Sequence, residues 1–235
     1  MTSFFNLILA QPLFNLLVVL YSHVTFGDLG LAIILLTIIV RLLLYPIFYR
    51  GLKSQMLTQK IQPEIAKVQQ QYKDDKQAQT KAIMEVYKKN NLNPFASILY
   101  ILIQLPIFFA IYHLFATGLT TEAFSNLYSF IPAPEITNSM FLGILDISKP
   151  SLVIVALAAI AQYYQGKMAT PAQASGANPM MKYMVYLGPL LTVIILPSLS
   201  AGIGLYWTTN AVFSIFQQHL INKQLHGTAV PSRKN

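Results

Sequence analysis

The 235 residues are 54% hydrophobic and only 10% charged, with a mean hydropathy of +0.51 and no Cys. A water-soluble domain carries about 25% charged residues, so this composition indicates a polytopic helical membrane protein. Without Cys there are no disulfides, thiolate metal sites, cysteine nucleophiles or cysteine lipidation. The net charge of +8 speaks first of orientation and anionic lipid, and only then of nucleic acid.

Residues 1–28 are apolar but punctuated by Asn6, Gln11, Pro12, Asn15, Ser22 and His23. Phe14, Leu17, Val18 and Tyr21 recur at helical spacing, which predicts an N-terminal amphipathic helix lying in the interface. A first spanning helix is the alternative on length. The stretch lacks the basic start and small-residue cleavage site of a signal peptide.

Residues 29–50 are expected to form the first transmembrane span. Arg41 lies inside it, and an arginine there costs at least ~2.5–3.5 kcal/mol on insertion scales. None of the apolar runs contains Asp or Glu, so a buried ion pair is not available and Arg41 is expected to face water within the membrane. Residues 51–93 are polar, yet Leu57, Ile61, Ile65, Val68 and Tyr72 keep helical spacing. Asp74 and Asp75 can cap a second helix carrying Ala78, Ala82 or Ile83, and Val86. This predicts a helical hairpin with a basic surface, with Lys53, Lys60, Lys67, Lys73, Lys76, Lys81, Lys88 and Lys89 against four carboxylates.

The second span is expected over 94–116, kinked at Pro106. An external loop follows over 117–149, then a third span over 150–167 and a cytoplasmic loop over 168–181. The fourth span covers 182–198, the fifth 203–221, and a polar tail 222–235. With the N-terminus outside, the inner face holds fourteen of the sixteen Lys and Arg and the outer face only Lys149, a strong orientation signal.

Thr37 and Arg41 are four residues apart and share a helix face. In the fifth span Trp207, Asn210, Ser214 and Gln217 make a polar stripe. Gln104 and Gln162 are polar residues deep in the second and third spans. Separately, each could bond its own helix backbone or bridge two helices for ~0.6–2 kcal/mol. Together they describe a wet, positively charged cavity inside an all-α bundle. Ion-coupled transport normally uses an intramembrane carboxylate, which these spans lack. An anion pathway and a cavity that hosts polar segments of another polypeptide both remain. No nucleophile–base pair or metal-ligand spacing stands out, so neither enzymatic activity nor a cofactor is expected.

The ordered motifs resemble the YidC/Oxa/Alb membrane protein insertases over nearly the whole chain. They are Thr37-Ile-Ile-Val-Arg41 with Tyr45-Pro46, Gln62-Pro63, Asn93-Pro94, Ile103-Gln104-Leu-Pro106-Ile-Phe108, Leu145-Asp146-Ile-Ser148, and Gly204-Leu-Tyr206-Trp207 with Asn210. The resemblance implies five transmembrane helices around a hydrophilic groove, closed to the outside and open to cytoplasm and lipid. The arginine matching Arg41 receives polar or acidic substrate tails. The resemblance further implies that apolar segments leave along a slide at Leu105, Pro106, Phe108 and Tyr206, beside Thr37 and Trp207. Several relatives carry Tyr where this chain has Trp207, whose indole has no hydroxyl. Neither the large outer domain of many Gram-negative members nor the lipoprotein cysteine of many Gram-positive ones is expected here.

The implied partners are nascent membrane proteins, the Sec translocon, anionic lipids, and a ribosome met through the basic hairpin rather than the short tail. A monomer in the bacterial plasma membrane is expected. An anion channel using the same cavity is the alternative, and an assembly factor that binds only folded partners is a third reading.

Overall fold

The computed structural model describes residues 3–117, 123–134, 138–169 and 179–227. Most of the loop expected over 168–181 and the tail from residue 228 onward lie outside the described residues, as do Glu122 and Glu135.

The chain opens with a continuous helical stretch. A short α1 (Ser3–Phe5) and α2 (Gln11–Val19) are joined by a π-helical turn at Asn6–Ala10, and a second such turn covers Leu20–Val24. Asn6–Val24 is apolar and, at 19 residues, long enough to cross a bilayer. Its Phe14, Leu17, Val18, Leu20 and Tyr21 are buried in the main core. Two of the polar residues that punctuate it, Gln11 and Asn15, also face protein. Asn15, 2% exposed, donates from Nδ2 to the Asn126 carbonyl (3.0 Å), and its Oδ1 accepts from the Tyr128 backbone N–H (2.7 Å). Gln11 Nε2 donates to the same Asn126 carbonyl (3.1 Å). Buried amides satisfied in this way hold the 123–128 segment against α2.

Asp28 caps α3 (Leu29–Leu43) by accepting from the Leu31 N–H (2.9 Å). The first span was expected to run on to residue 50. Instead the helix stops at Leu43 and resumes as α4 (Tyr45–Lys60) after a 76° bend. Pro46 explains the break: it has no N–H for the Leu42 carbonyl, and its ring would crowd that carbonyl in a straight helix. Pro46 instead occupies the first turn of α4, where a missing N–H costs nothing.

The hairpin therefore starts within the apolar run, earlier than its polar composition indicates. It continues through α5 (Gln62–Gln71), with Pro63 in the first turn, and α6 (Lys76–Lys89). The single helical period read from Leu57 to Tyr72 is broken at Ile61 by the same proline chemistry. Asp75 Oδ1 caps α6 by accepting from Gln77 N and Ala78 N, each at 3.0 Å. Asn91, at φ 51°, ends it in the left-handed conformation common after helices.

Next comes α7 (Ala96–Thr117), whose 22 residues span ~33 Å at 1.5 Å per residue, with Pro106 inside it. A two-residue antiparallel hairpin, β1 (Met140–Phe141) and β2 (Leu145–Asp146), pairs Met140 with Asp146 and Phe141 with Leu145. The bundle is completed by α8 (Leu152–Ala169), α9 (Pro179–Ile195) and α10 (Ala201–Gly227).

Of these, α10 is central: it packs on α8, α3, α4 and α7, while α9 packs on α8. At Gly204 a Cβ would come within 2.6 Å of Ile154, so glycine permits the close approach of α10 to α8. The connection before α8 also braces the start of α10: Ala201 N and Gly202 N donate to the carbonyls of Lys149 (2.8 Å) and Ile147 (2.9 Å).

Candidate functional site

Arg41 stands in the last turn of α3, where the helix dipole favours a cation. It is 2% exposed. Among the described residues no carboxylate reaches salt-bridge distance of it. Its donors go to neutral oxygens on α10. Nε donates to Asn210 Oδ1 (2.7 Å), one terminal nitrogen donates to Ser214 Oγ (2.7 Å) and the Asn210 carbonyl (3.2 Å), and the other donates to Gln217 Oε1 (3.3 Å). Hydrogen bonds to a charged group are worth about 1.5–3 kcal/mol each. Two of the four already match the insertion cost of the arginine.

The expectation that Arg41 faces water is therefore corrected. The amide and hydroxyl oxygens of α10 supply the solvation that water would otherwise give. The Ser214 oxygen is free to accept because its O–H donates to the Asn210 carbonyl (3.0 Å).

The elbow at Leu44 completes the enclosure. It turns α4 back across the end of α3 and lays the Phe48 ring over the guanidinium, 4.5 Å from Cζ to centroid. Phe213 stands on another side at 5.9 Å. Phe48 is 1% exposed. Beyond it, Leu52 and Met56 of α4 pack on Ile221 of α10, and Tyr49 Oη donates to Gln224 Oε1 (2.7 Å). The space left beside Arg41 is a cavity of about 10 Å3 bordered by Thr37, Gln104, Ile107, Tyr206 and Asn210. That is close to the minimum volume for one water.

Polar atoms around Arg41 and its cavity are incompletely used. Gln104 Nε2 donates to Tyr206 Oη (2.8 Å), but its Oε1 is buried without a partner. Gln217 gives its Oε1 to Arg41 while its buried Nε2 has no partner. Each orphan costs about 1–3 kcal/mol. Thr37 borders the cavity, with its hydroxyl donating to the Ile33 carbonyl (2.7 Å).

The structure thus gathers Arg41, Asn210, Ser214 and Gln217 into one hydrogen-bonded cluster and puts Thr37 and Gln104 at its edge. Two sequence candidates stand elsewhere. Trp207 packs edge-on against Phe108, centroids 5.7 Å apart, between α10 and α7. Gln162 lies over Gly188 at the α8–α9 contact and neither bonds Arg41 nor borders its cavity. Leu105 and Pro106 are exposed on α7, Phe108 is half-buried, and Tyr206 is 3% exposed. Sequence reasoning missed Phe48 and Phe213, because an aromatic in an apolar run gives no sign that it covers a cation. Tyr45-Pro46 was the signal for the bend that brings Phe48 into place.

The chain as a whole is similar to known proteins. The family model described as 60Kd inner membrane protein matches residues 20–228. A membrane protein insertase YidC of Helicobacter pylori is 35% identical over 216 residues, covering 92% of this chain and 36% of the relative. Its counterpart from Rickettsia akari is 33% identical over 223 residues, covering 92% and 39%. Among solved structures, an active YidC insertase with its first transmembrane domain resolved aligns with a TM-score of 0.58 and 25% identity, over 88% of this chain and 45% of the other. The chain thus spans 36–39% of the length of these curated relatives.

Proposed function

The chain belongs to the 60Kd inner membrane protein family, and we propose that it works as a membrane protein insertase and chaperone. In this reading five helices cross the bilayer: α3, α7, α8, α9 and α10. The N-terminal helix lies along the outer interface, and the hairpin and tail are cytoplasmic. The N-terminal helix's bonds to the 123–128 segment support that placement, as does the concentration of Lys and Arg in the hairpin.

The observation that carries the proposal is the Arg41 cage. A cation held by neutral oxygens keeps its full charge, so an incoming carboxylate offers it a Coulombic gain that Asn210, Ser214 and Gln217 cannot. A polar or acidic tail of a nascent membrane protein enters as α4 swings from the elbow at Leu44, and takes over donors from the α10 oxygens. The orphan atoms of Gln104 and Gln217 are further contacts for it. The apolar segment of the substrate then leaves sideways past Leu105, Pro106 and Phe108, driven by its partition into lipid. Gln162 and Trp207 belong to the wider groove that opens with this movement. The protein acts alone or beside a Sec translocon, and its lysine-rich hairpin meets ribosomal RNA or anionic lipid.

The test is insertion of a short acidic-tailed protein into vesicles containing the purified chain. Arg41→Ala is expected to reduce insertion about tenfold or more, equivalent to ~1.4 kcal/mol. Vesicles that conduct anions yet insert nothing would overturn the reading in favour of a channel.

A further inference from the structure

Three large apolar side chains stand clear of the bundle at the end where α3 and α8 begin. Phe26, Leu142 and Ile144 are 92%, 57% and 83% exposed, and the Arg41 site uses none of them. They sit on two turns. Phe26 (φ 51°) and Leu142 (φ 52°) both occupy the left-handed backbone region that bulky side chains seldom adopt. Gly or Asn would fill such positions with less strain. The chain places Phe and Leu there.

Both turns are fixed to α3. In the first, Thr25 Oγ1 donates to the Asp28 carbonyl (2.8 Å) and Gly27 N donates to the Tyr21 carbonyl (2.9 Å). In the second, Leu142 N donates to Asp28 Oδ2 (2.7 Å), while the other oxygen of Asp28 caps α3. One residue, Asp28, therefore joins both turns to the start of α3, the first through its carbonyl and the second through its carboxylate. The Phe141 ring lies against Gly30 so closely that a Cβ there would overlap it. The hairpin thus turns Phe141 inward and holds Leu142 and Ile144 outward. A Cβ at Gly143, on the tip between them, would meet nothing within 4 Å.

We propose that Phe26, Leu142 and Ile144 form a rigid apolar wedge that enters the lipid surface at this end of the bundle. Continuity selects lipid as the occupant. Leu31, in the first turn of α3, is 37% exposed, and Leu152 and Val153, in the first turn of α8, are 77% and 65% exposed. The wedge therefore joins the outward apolar faces of two helices of a membrane protein. The cation between hairpin and α8, Lys149, is paired with Asp146 at 2.8 Å. Apolar side chains on a polar-capped edge settle at the headgroup–acyl boundary. There they fix the height of α3, and with it the depth of Arg41. The inference requires membrane residence and holds whether or not the chain is an insertase.

The chain has no Cys, so single-cysteine variants label uniquely. Ile144→Cys, and separately Phe26→Cys, would carry an environment-sensitive fluorophore in the full chain reconstituted without substrate. Gln70→Cys, on the exposed face of α5, serves as the aqueous reference. Both wedge labels are expected to emit further to the blue than the reference, to be quenched several-fold more by doxyl-labelled lipid, and to be shielded from iodide. Iodide quenching equal to that of the reference, with no effect of doxyl lipid, would put the turns in water and overturn the proposal. Shielding from both quenchers that disappears when the protein is diluted in the vesicles would assign the wedge to a protein contact and overturn it equally.

Discussion

Arg41, between α3 and α10, donates hydrogen bonds to neutral oxygens of Asn210, Ser214 and Gln217, whereas Asp146, before α8, holds Lys149 at 2.8 Å. Asp146 also accepts from Ser139 Oγ (2.8 Å), Ser148 Oγ (2.6 Å) and Ser148 N (3.1 Å). The outer group sits near water, where an ion pair adds little and its role is to shape the hairpin. The inner group is buried, where an ion pair would neutralise the cation and a missing partner would be costly. Neutral oxygens avoid both outcomes. They solvate Arg41 without cancelling its charge. On the proposed function, the Asp146–Lys149 clasp stays closed while the Arg41 cage exchanges its ligands for an acidic tail.

This contrast can be broken first at the cover of the cage. Phe48→Ala removes a fully buried ring and its contact with the guanidinium, and is expected to destabilise the fold by about 3–5 kcal/mol, read from a denaturation midpoint in detergent. Asn210→Ala comes next. It leaves the Arg41 Nε–H without an acceptor and is expected to cost about 1.5–3 kcal/mol in the same measurement. Ser214→Ala should cost less, ~1–2 kcal/mol, because the Asn210 carbonyl still accepts from the same nitrogen.

The smallest effect is expected at the outer clasp, where pH separates it from the cage. Hydrogen bonds from Lys149 and the serines hold the Asp146 carboxyl well below the usual range, and Asp146 raises Lys149 in turn. A depressed carboxyl stabilises above its unfolded value of ~3.9, and this contribution is lost as pH falls through the folded one. A raised lysine stabilises below ~10.4, and this is lost as pH rises through its folded value. The clasp is thus constant from about pH 4 to 10. Asp146→Asn should flatten the acid limb of a melting-temperature profile and leave neutral-pH insertion unchanged.

Much of the cage was legible in the sequence. The Asn210–Ser214–Gln217 spacing marked one face of a helix, and the lack of intramembrane carboxylates marked Arg41 as unusual. Which helix face meets which is a long-range fact, and periodicity does not carry it. That is why Gln162, polar and deep in its helix like Gln104, turned out to pack on Gly188. The bend at Leu44 was hidden because the apolar run of α3 continues through Tyr45-Pro46-Ile47-Phe48. Hydropathy joined what proline separates. The sequence predicts an N-terminal helix in the interface but does not say what its polar residues meet, and Asn15 is buried on the 123–128 segment. An amide toward headgroups and an amide toward a loop look alike in one dimension.

The central claim is that Arg41 keeps an uncancelled charge for an acidic substrate. It is tested most directly by inserting a series of otherwise identical proteins, with tails of zero, one or two acidic residues, into vesicles bearing the wild-type chain or Arg41→Gln. The account predicts that the wild type favours acidic tails and that Arg41→Gln erases the preference while still inserting the neutral tail. A preference for acidic tails that survives in Arg41→Gln would contradict it.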